Sequence, residues 1–162
     1  MSGVHFSNRK YRLKKQRKQK SYASLVLACS PDGIVLVRER AKIPSFWKLP
    51  GGHSKGDEVP KETAARELCE ETGLNVKNNR LSELFCFWRR NHDVYVFGTY
   101  VPKLLAHGLL PFGPVTGEET RVESASSLNA FLESGSFLPP HRRILRNPGV
   151  LENVSAMLEE YI

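Results

Sequence analysis

Residues 52–74 read Gly-His-Ser-Lys-Gly-Asp-Glu-Val-Pro-Lys-Glu-Thr-Ala-Ala-Arg-Glu-Leu-Cys-Glu-Glu-Thr-Gly-Leu. Glu67, Glu70 and Glu71 stand at i, i+3 and i+4, so a helix gathers their carboxylates on one face within about 100° of arc. Ala65, Leu68, Cys69 and Thr72 fall on the other side, where they are expected to meet the core. The spacing predicts a helix from about 58 to 72, and Gly73 ends it, because glycine enters the left-handed cap conformation without steric cost. Adjacent carboxylates repel, weakening an isolated helix by a few tenths of a kcal/mol per like-charged pair. A divalent cation resolves that conflict. Mg²⁺ takes carboxylate, water and phosphate oxygens together, which is the ligand set this face offers.

Upstream, apolar runs at about 22–29 and 34–40 flank the turn residues Pro31-Asp32-Gly33 and are expected to be strands. A Pro/Gly-marked loop is expected at 44–57. Downstream, strands are predicted at about 81–89 and 93–101, a Pro/Gly-rich connection at 102–117, a short strand near 120–124 and a helix near 126–133. Asn147 is placed to cap a final helix, with Pro148 at its first position. Val150, Leu151, Val154, Met157 and Leu158 then recur at helical spacing. Strands interleaved with helices give an α/β class, a mixed sheet covered by helices on both faces.

The pattern G-x5-E-x7-R-E-U-x-E-E-x-G-U, with U aliphatic, is met at every specified position between Gly52 and Leu74. Such a coincidence arises by chance on the order of once in ten million chains. The segment resembles the Nudix box, and Trp47-Lys48-Leu49-Pro50-Gly51-Gly52 resembles that family's W-x-x-P-G-G entry to it. One departure is Asp57, where many members carry glycine before the first box glutamate. The resemblance implies an α-β-α sandwich with a central mixed sheet, and a hydrolase that uses Mg²⁺, with Mn²⁺ as a substitute, to cut a phosphoanhydride bond. Its substrate is a nucleotide-type small molecule, such as a nucleoside triphosphate or another nucleoside diphosphate derivative. It assigns Glu67, Glu70 and Glu71 as metal ligands, Glu58 as a further acidic contributor, and Arg66 as the arginine that orients a neighbouring glutamate. Gly51 and Gly52 are expected to bring backbone amides to the substrate. The general base stays open between Glu67 and a distal glutamate. Glu118, Glu119 and Glu123 follow the Gly-rich connection where such a residue would sit, and Glu119 is the one carried forward.

Plainer readings stand beside these. Arg38 and Arg40 either hold substrate phosphates by bidentate bonds or are ordinary surface arginines. Trp88, Tyr95 and Phe97 either stack on a base or pack the sheet, and packing is the commoner fate of strand aromatics. His53 reads as a loop histidine and Cys69 as a small buried residue.

At 162 residues and 40% apolar content, the chain suits one domain. Residues 1–20 carry eight Lys or Arg and no acid, whereas the remainder carries sixteen basic and seventeen acidic residues. A basic, flexible tail at 1–20 is therefore expected before a domain at 21–162, and RNA is a partner the stretch 9–20 could hold. Cys29, Cys69 and Cys86 form no C-x-x-C pair, which suits reduced thiols in a cytoplasmic protein. The run Leu25 to Cys29 is too short for an export signal, and no stretch approaches the roughly 18–20 apolar residues of a membrane span. Two other functions compete: a non-catalytic nucleotide- or RNA-binding module, and an RNA 5′-end pyrophosphohydrolase. Degenerate binding modules usually lack box glutamates, and all are present here. The motifs of the isomerase branch are not found, and oligomeric state is not legible.

Overall fold

The computed structural model describes residues 21–88, 91–150, 152 and 156. The basic segment 1–20 and the expected contacts of Leu151, Val154, Met157 and Leu158 lie outside the described residues.

The chain begins with β1 (Tyr22–Ser30) and β2 (Gly33–Arg38), joined by the Pro31-Asp32 turn. After Tyr22 every residue of β1 is buried, because β1 lies inside the sheet and is covered on both faces. Ala23, Leu25, Leu27 and Cys29 enter one apolar cluster, and Val26 and Ala28 the other, as the two-residue period of a strand requires.

Two short strands, β3 (Trp47–Lys48) and β4 (Gly51–His53), lie within the stretch expected to be loop. Both are paired: β3 with β2, and β4 with the first half of β1. The helix α1 (Pro60–Thr72) follows, with β5 (Ser82–Trp88), β6 (Asp93–Tyr100), β7 (Glu119–Glu123), α2 (Ala125–Glu133) and α3 (Pro139–Leu145) after it. The path across the sheet is β3-β2-β1-β6-β5, with β4 on β1 and β7 on β2. Among the strand pairings of the described residues β1–β6 is parallel and the others are antiparallel, so the sheet is mixed.

One cluster, with Val26, Val35 and Phe97, packs beneath α1 through Ala64 and Leu68. The other, with Leu27, Leu36 and Val96, lies beneath α2 and α3 through Leu128, Leu132, Ile144 and Leu145. This is the expected α-β-α sandwich. Phe97 is buried and Tyr95 lies stacked beside it, which is the packing reading of these aromatics, while Trp88 is exposed.

Three local expectations hold closely. α1 ends at Thr72, and Gly73 at φ 82° donates its N–H to the Cys69 carbonyl. α2 begins one residue earlier than expected. Asn147 Oδ1 accepts from Gly149 N at 2.9 Å, and residues 148–150 are helical, so the proposed cap is formed. No helix among the described residues is long and apolar enough to cross a membrane.

Candidate active site

The site is built on α1 and the β3–β4 turn beside it. Pro60 occupies the first turn of α1, with Val59 as the cap residue, so Glu58 stands just outside the helix rather than at its start. From there its carboxylate folds back. Glu58 Oε1 accepts from Lys55 N at 2.7 Å and from Thr63 Oγ1 at 3.2 Å.

Arg66 ties the acidic residues together. Its Nε donates to Glu58 Oε2 at 2.7 Å and its Nη2 to Glu58 Oε1 at 3.0 Å, a bidentate pair. Its Nη1 donates to Glu67 Oε1 and to Glu70 Oε2, each at 3.0 Å, and Nη2 also reaches the His53 carbonyl at 3.0 Å. The guanidinium holds the Glu58 carboxyl down to about 2, and the carboxylates in turn push the Arg66 pKa up.

Glu71 departs from the expectation of one open carboxylate face. It is 3% exposed, turned inward beneath the turn, where its Oε2 accepts from Gly51 N at 2.9 Å. Burial, with the nearby charge of Glu118, pushes its pKa up to about 9, against the opposing effect of the Gly51 amide. The inward side of α1 also differs from the expected set. Thr63, Ala64, Leu68, Glu71 and Thr72 are buried, while Ala65 and Cys69 are half-buried.

Both turn glycines are required by close approach. A Cβ on Gly51, whose φ is 152°, would stand 2.2 Å from the Ser24 carbonyl oxygen. One on Gly52 would stand 2.5 Å from Glu67 Oε1. The missing side chains thus let the β4 backbone lie against β1 at Gly51 and against the Glu67 carboxylate at Gly52. His141 of α3 braces the turn from the far side, since Leu49 N donates to its Nδ1 at 2.9 Å. Nothing in the sequence pattern marked His141.

Register assigns the distal glutamates. Arg38, Leu36 and Ile34 of β2 stand opposite Glu119, Arg121 and Glu123, and Leu36 faces the α2/α3 cluster. Glu119 therefore points to the sheet face away from α1. There Arg38 holds its Oε2, from Nε at 3.2 Å and from Nη2 at 2.5 Å, and the Arg38 guanidinium lies 4.6 Å from the Trp47 ring centre. Glu123 is buried, bonded to Arg121 and Ser127.

Glu118, one residue earlier, takes the opposite parity and faces the α1 side. It is 7% exposed, its Oε2 has no hydrogen-bond partner among the described residues, and its Oε1 lies 3.7 Å from Lys48 Nζ. Burial pushes its pKa up. The structure thus brings Glu58, Arg66, Glu67, Glu70, Glu71, Gly51 and Gly52 together and adds Glu118, while Arg38 and Glu119 sit on the other face. Arg40, exposed beyond β2, places its guanidinium 4.4 Å from the Phe112 ring centre.

Among the described residues, no three His, Cys, Asp or Glu side chains converge on one point as metal ligands do. The reason is visible: Arg66 lies between Glu58, Glu67 and Glu70. The donor set nevertheless fits a hard cation. It consists of carboxylate oxygens, it contains a buried oxygen with no partner at Glu118, and the absence of a side chain at Gly52 makes room for the Glu67 carboxylate.

The family model described as NUDIX domain matches residues 19–146. Over 87 residues the chain is 33% identical to diphosphoinositol polyphosphate phosphohydrolase 2 of Rattus norvegicus, covering 54% of this chain and 49% of the relative. Over 71 residues it is 34% identical to dihydroneopterin triphosphate diphosphatase of Haemophilus influenzae, covering 44% of this chain and 45% of the relative. The chain therefore spans about half the length of the curated relatives it matches. A solved structure described as a putative nudix hydrolase family member from Chromobacterium violaceum superposes with TM-score 0.60 at 20% identity, covering 88% of this chain and 90% of that one. At that identity the likeness concerns the fold.

Proposed function

This chain belongs to the Nudix family, whose model covers most of its length, and on that premise we propose that it is a Mg²⁺-dependent hydrolase of a phosphoanhydride bond in a nucleoside diphosphate-linked substrate. The observation that carries the reading is the complete acidic constellation on α1 set against a turn stripped of side chains. A glutamate-rich helix serving only as solvated surface has no use for a buried Glu71 bonded to the turn, nor for a buried Glu118 facing it.

Glu67, Glu70 and Glu71, with Glu58 and Glu118 beside them, would hold the cation. When bound, Mg²⁺ or Mn²⁺ supplies neutralisation of charge on the phosphate oxygens. Arg66 keeps Glu58, Glu67 and Glu70 in register, and its bond to the His53 carbonyl ties that register to the turn. Gly51 N–H orients Glu71. Glu118 adds a buried and uncommitted oxygen, Oε2, to this ligand set. Glu67 Oε1 is instead bound to Arg66. Arg40, exposed beside Phe112, is the arginine left for substrate phosphates, because Arg38 is bound to Glu119.

The substrate panel follows from the relatives. Nucleoside triphosphates, nucleoside diphosphate sugars, dihydroneopterin triphosphate and a diphosphoinositol polyphosphate are incubated with Mg²⁺ or Mn²⁺, and products are identified by mass. Turnover of a nucleotide that vanishes with chelator is expected. Absence of metal-dependent turnover across the panel would replace this reading with that of a nucleotide-binding module. A second reading, action on RNA 5′ ends in the cytoplasm, is favoured by one observation, the eight basic residues within residues 1–20.

A further inference from the structure

Two internal cations face the acidic site, and they are used differently. Arg66 is saturated, its guanidinium bonded to Glu58, Glu67, Glu70 and the His53 carbonyl. Lys48 is not. It stands opposite Val37 in the β2–β3 pairing, on the parity of Val35, and so on the α1 side of the sheet. Its Nζ lies 3.7 Å from Glu118 Oε1, beyond an ordinary hydrogen-bond length, and its side chain is 24% exposed. An ammonium carries three donors on a flexible four-carbon stem, so most of this one's bonding capacity is uncommitted.

We propose that Lys48 is a phosphate-binding residue of the hydrolase described above, paired with Glu118 in the substrate-free protein and turned to the diphosphate when a divalent cation takes the Glu118 carboxylate. The inference rests on that reading of the site. A divalent cation and an ammonium repel each other, so they do not share one buried carboxylate at close range. Glu118 offers a second oxygen, Oε2, already desolvated and without a partner, and this favours the divalent ion over the monovalent one. Once displaced, Lys48 requires another anion nearby. The substrate brings one, and the stem reaches it without backbone movement, because Lys48 is two residues from the Pro50-Gly51 turn that lines the site.

The pairing gives opposite signs in two binding measurements, neither of which requires turnover. Full-length wild type, Lys48→Met, Lys48→Gln and Lys48→Arg are titrated with Mn²⁺ alone, and then with methylenediphosphonate, a diphosphate that is not hydrolysed, at saturating Mn²⁺. Removing the competing charge in Lys48→Met and Lys48→Gln is expected to tighten Mn²⁺ binding ~3–10-fold and to weaken methylenediphosphonate binding ~10-fold or more. Lys48→Arg is expected to retain diphosphonate binding within a few-fold. A Lys48 that merely balances buried Glu118 would leave diphosphonate affinity unchanged in Lys48→Gln, and that result overturns the proposal, as does Mn²⁺ binding that is unchanged or weaker. Should Lys48→Met fail to fold, Lys48→Gln decides by the same two signs. Both shifts in a wild-type protein without turnover would instead leave Lys48 in place and remove the hydrolase reading.

Discussion

Glu118 and Glu119 are neighbours in sequence with opposite surroundings, and the difference should be measurable. Strand parity turns Glu118 toward α1 and Glu119 toward the other face, into the grip of Arg38. Glu118→Gln is expected to lower turnover about 10²-fold or more, the scale of losing a general base or metal ligand, while Glu119→Gln stays within a few-fold of wild type. The reverse ranking in steady-state kinetics would move the site to the Arg38 face. Glu70→Gln, nearly isosteric but a poor Mg²⁺ ligand, is expected to lose about 10²-fold in turnover with the fold retained by circular dichroism. Glu58 and Glu71 have opposite linkage. Glu58 is depressed from 4.5 to about 2 by Arg66, so its stabilisation is present above the unfolded value and is lost as pH falls through about 2. Glu71 is raised from 4.5 to about 9, so the fold prefers the neutral acid, and stability declines as pH rises from 4.5 toward 9 once the unfolded chain ionises. In chelator, Tm is therefore expected to fall across that upper window, and Glu71→Gln to flatten the decline. A wild-type Tm that rises through the window would contradict the burial of Glu71.

At the scale of elements, legibility followed length and pattern. α1 declared itself because thirteen residues carry a full carboxylate spacing and a terminal glycine, and β1 because nine residues form an apolar run that a strand buried on both faces demands. The strands β3 and β4 have two and three residues, too few to show a period, and Gly51 and Gly52 disguised β4 as loop. Their order comes from long-range pairing with β2 and β1, which no local pattern encodes. α3 was hidden for another reason. No element was expected there: Pro139 and Pro140 are compatible with a first helical turn but do not announce one, and seven residues are too few to show a helical period. His141 was hidden with it. The site was legible where the box specified it and obscure wherever a partner came from elsewhere: Gly51 for Glu71, Lys48 for Glu118, Arg38 for Glu119. The turn supplies the test. Gly51→Ala would drive a Cβ into the Ser24 carbonyl and forbid the present φ, costing roughly 1–3 kcal/mol. Its amide would also shift from Glu71. The expected outcome is a lower urea midpoint together with a large loss of turnover. An unchanged midpoint would mean that β4 can leave β1 freely.

For the molecule as a whole, the distribution of charge is the least local feature and the one most easily separated by experiment. Residues 21–162 hold sixteen basic and seventeen acidic residues, close to neutral, so the net charge of +7 resides in residues 1–20. The proposed active site is acidic and recruits phosphate through a cation and a few internal positive groups. A nearly neutral body with an acidic site gives little long-range attraction to a polyanion, whereas eight basic residues in twenty give a great deal. If RNA is a substrate or partner, the segment 1–20 should therefore supply most of the affinity, while bond cleavage stays with α1 and its turn. Free nucleotides are too small to engage both. Deleting residues 1–20 is expected to leave hydrolysis of free nucleotides unchanged, to weaken RNA binding, and to flatten its salt dependence, because each engaged phosphate contributes about −0.7 to the slope of log affinity against log salt on a single strand. The measurement is RNA affinity across a salt series for the full and shortened chains. Equal affinities and equal slopes would assign the segment no role in RNA binding. Loss of free-nucleotide turnover on truncation would show instead that part of the segment supports the fold at Tyr22, where β1 begins beside β4 and β6.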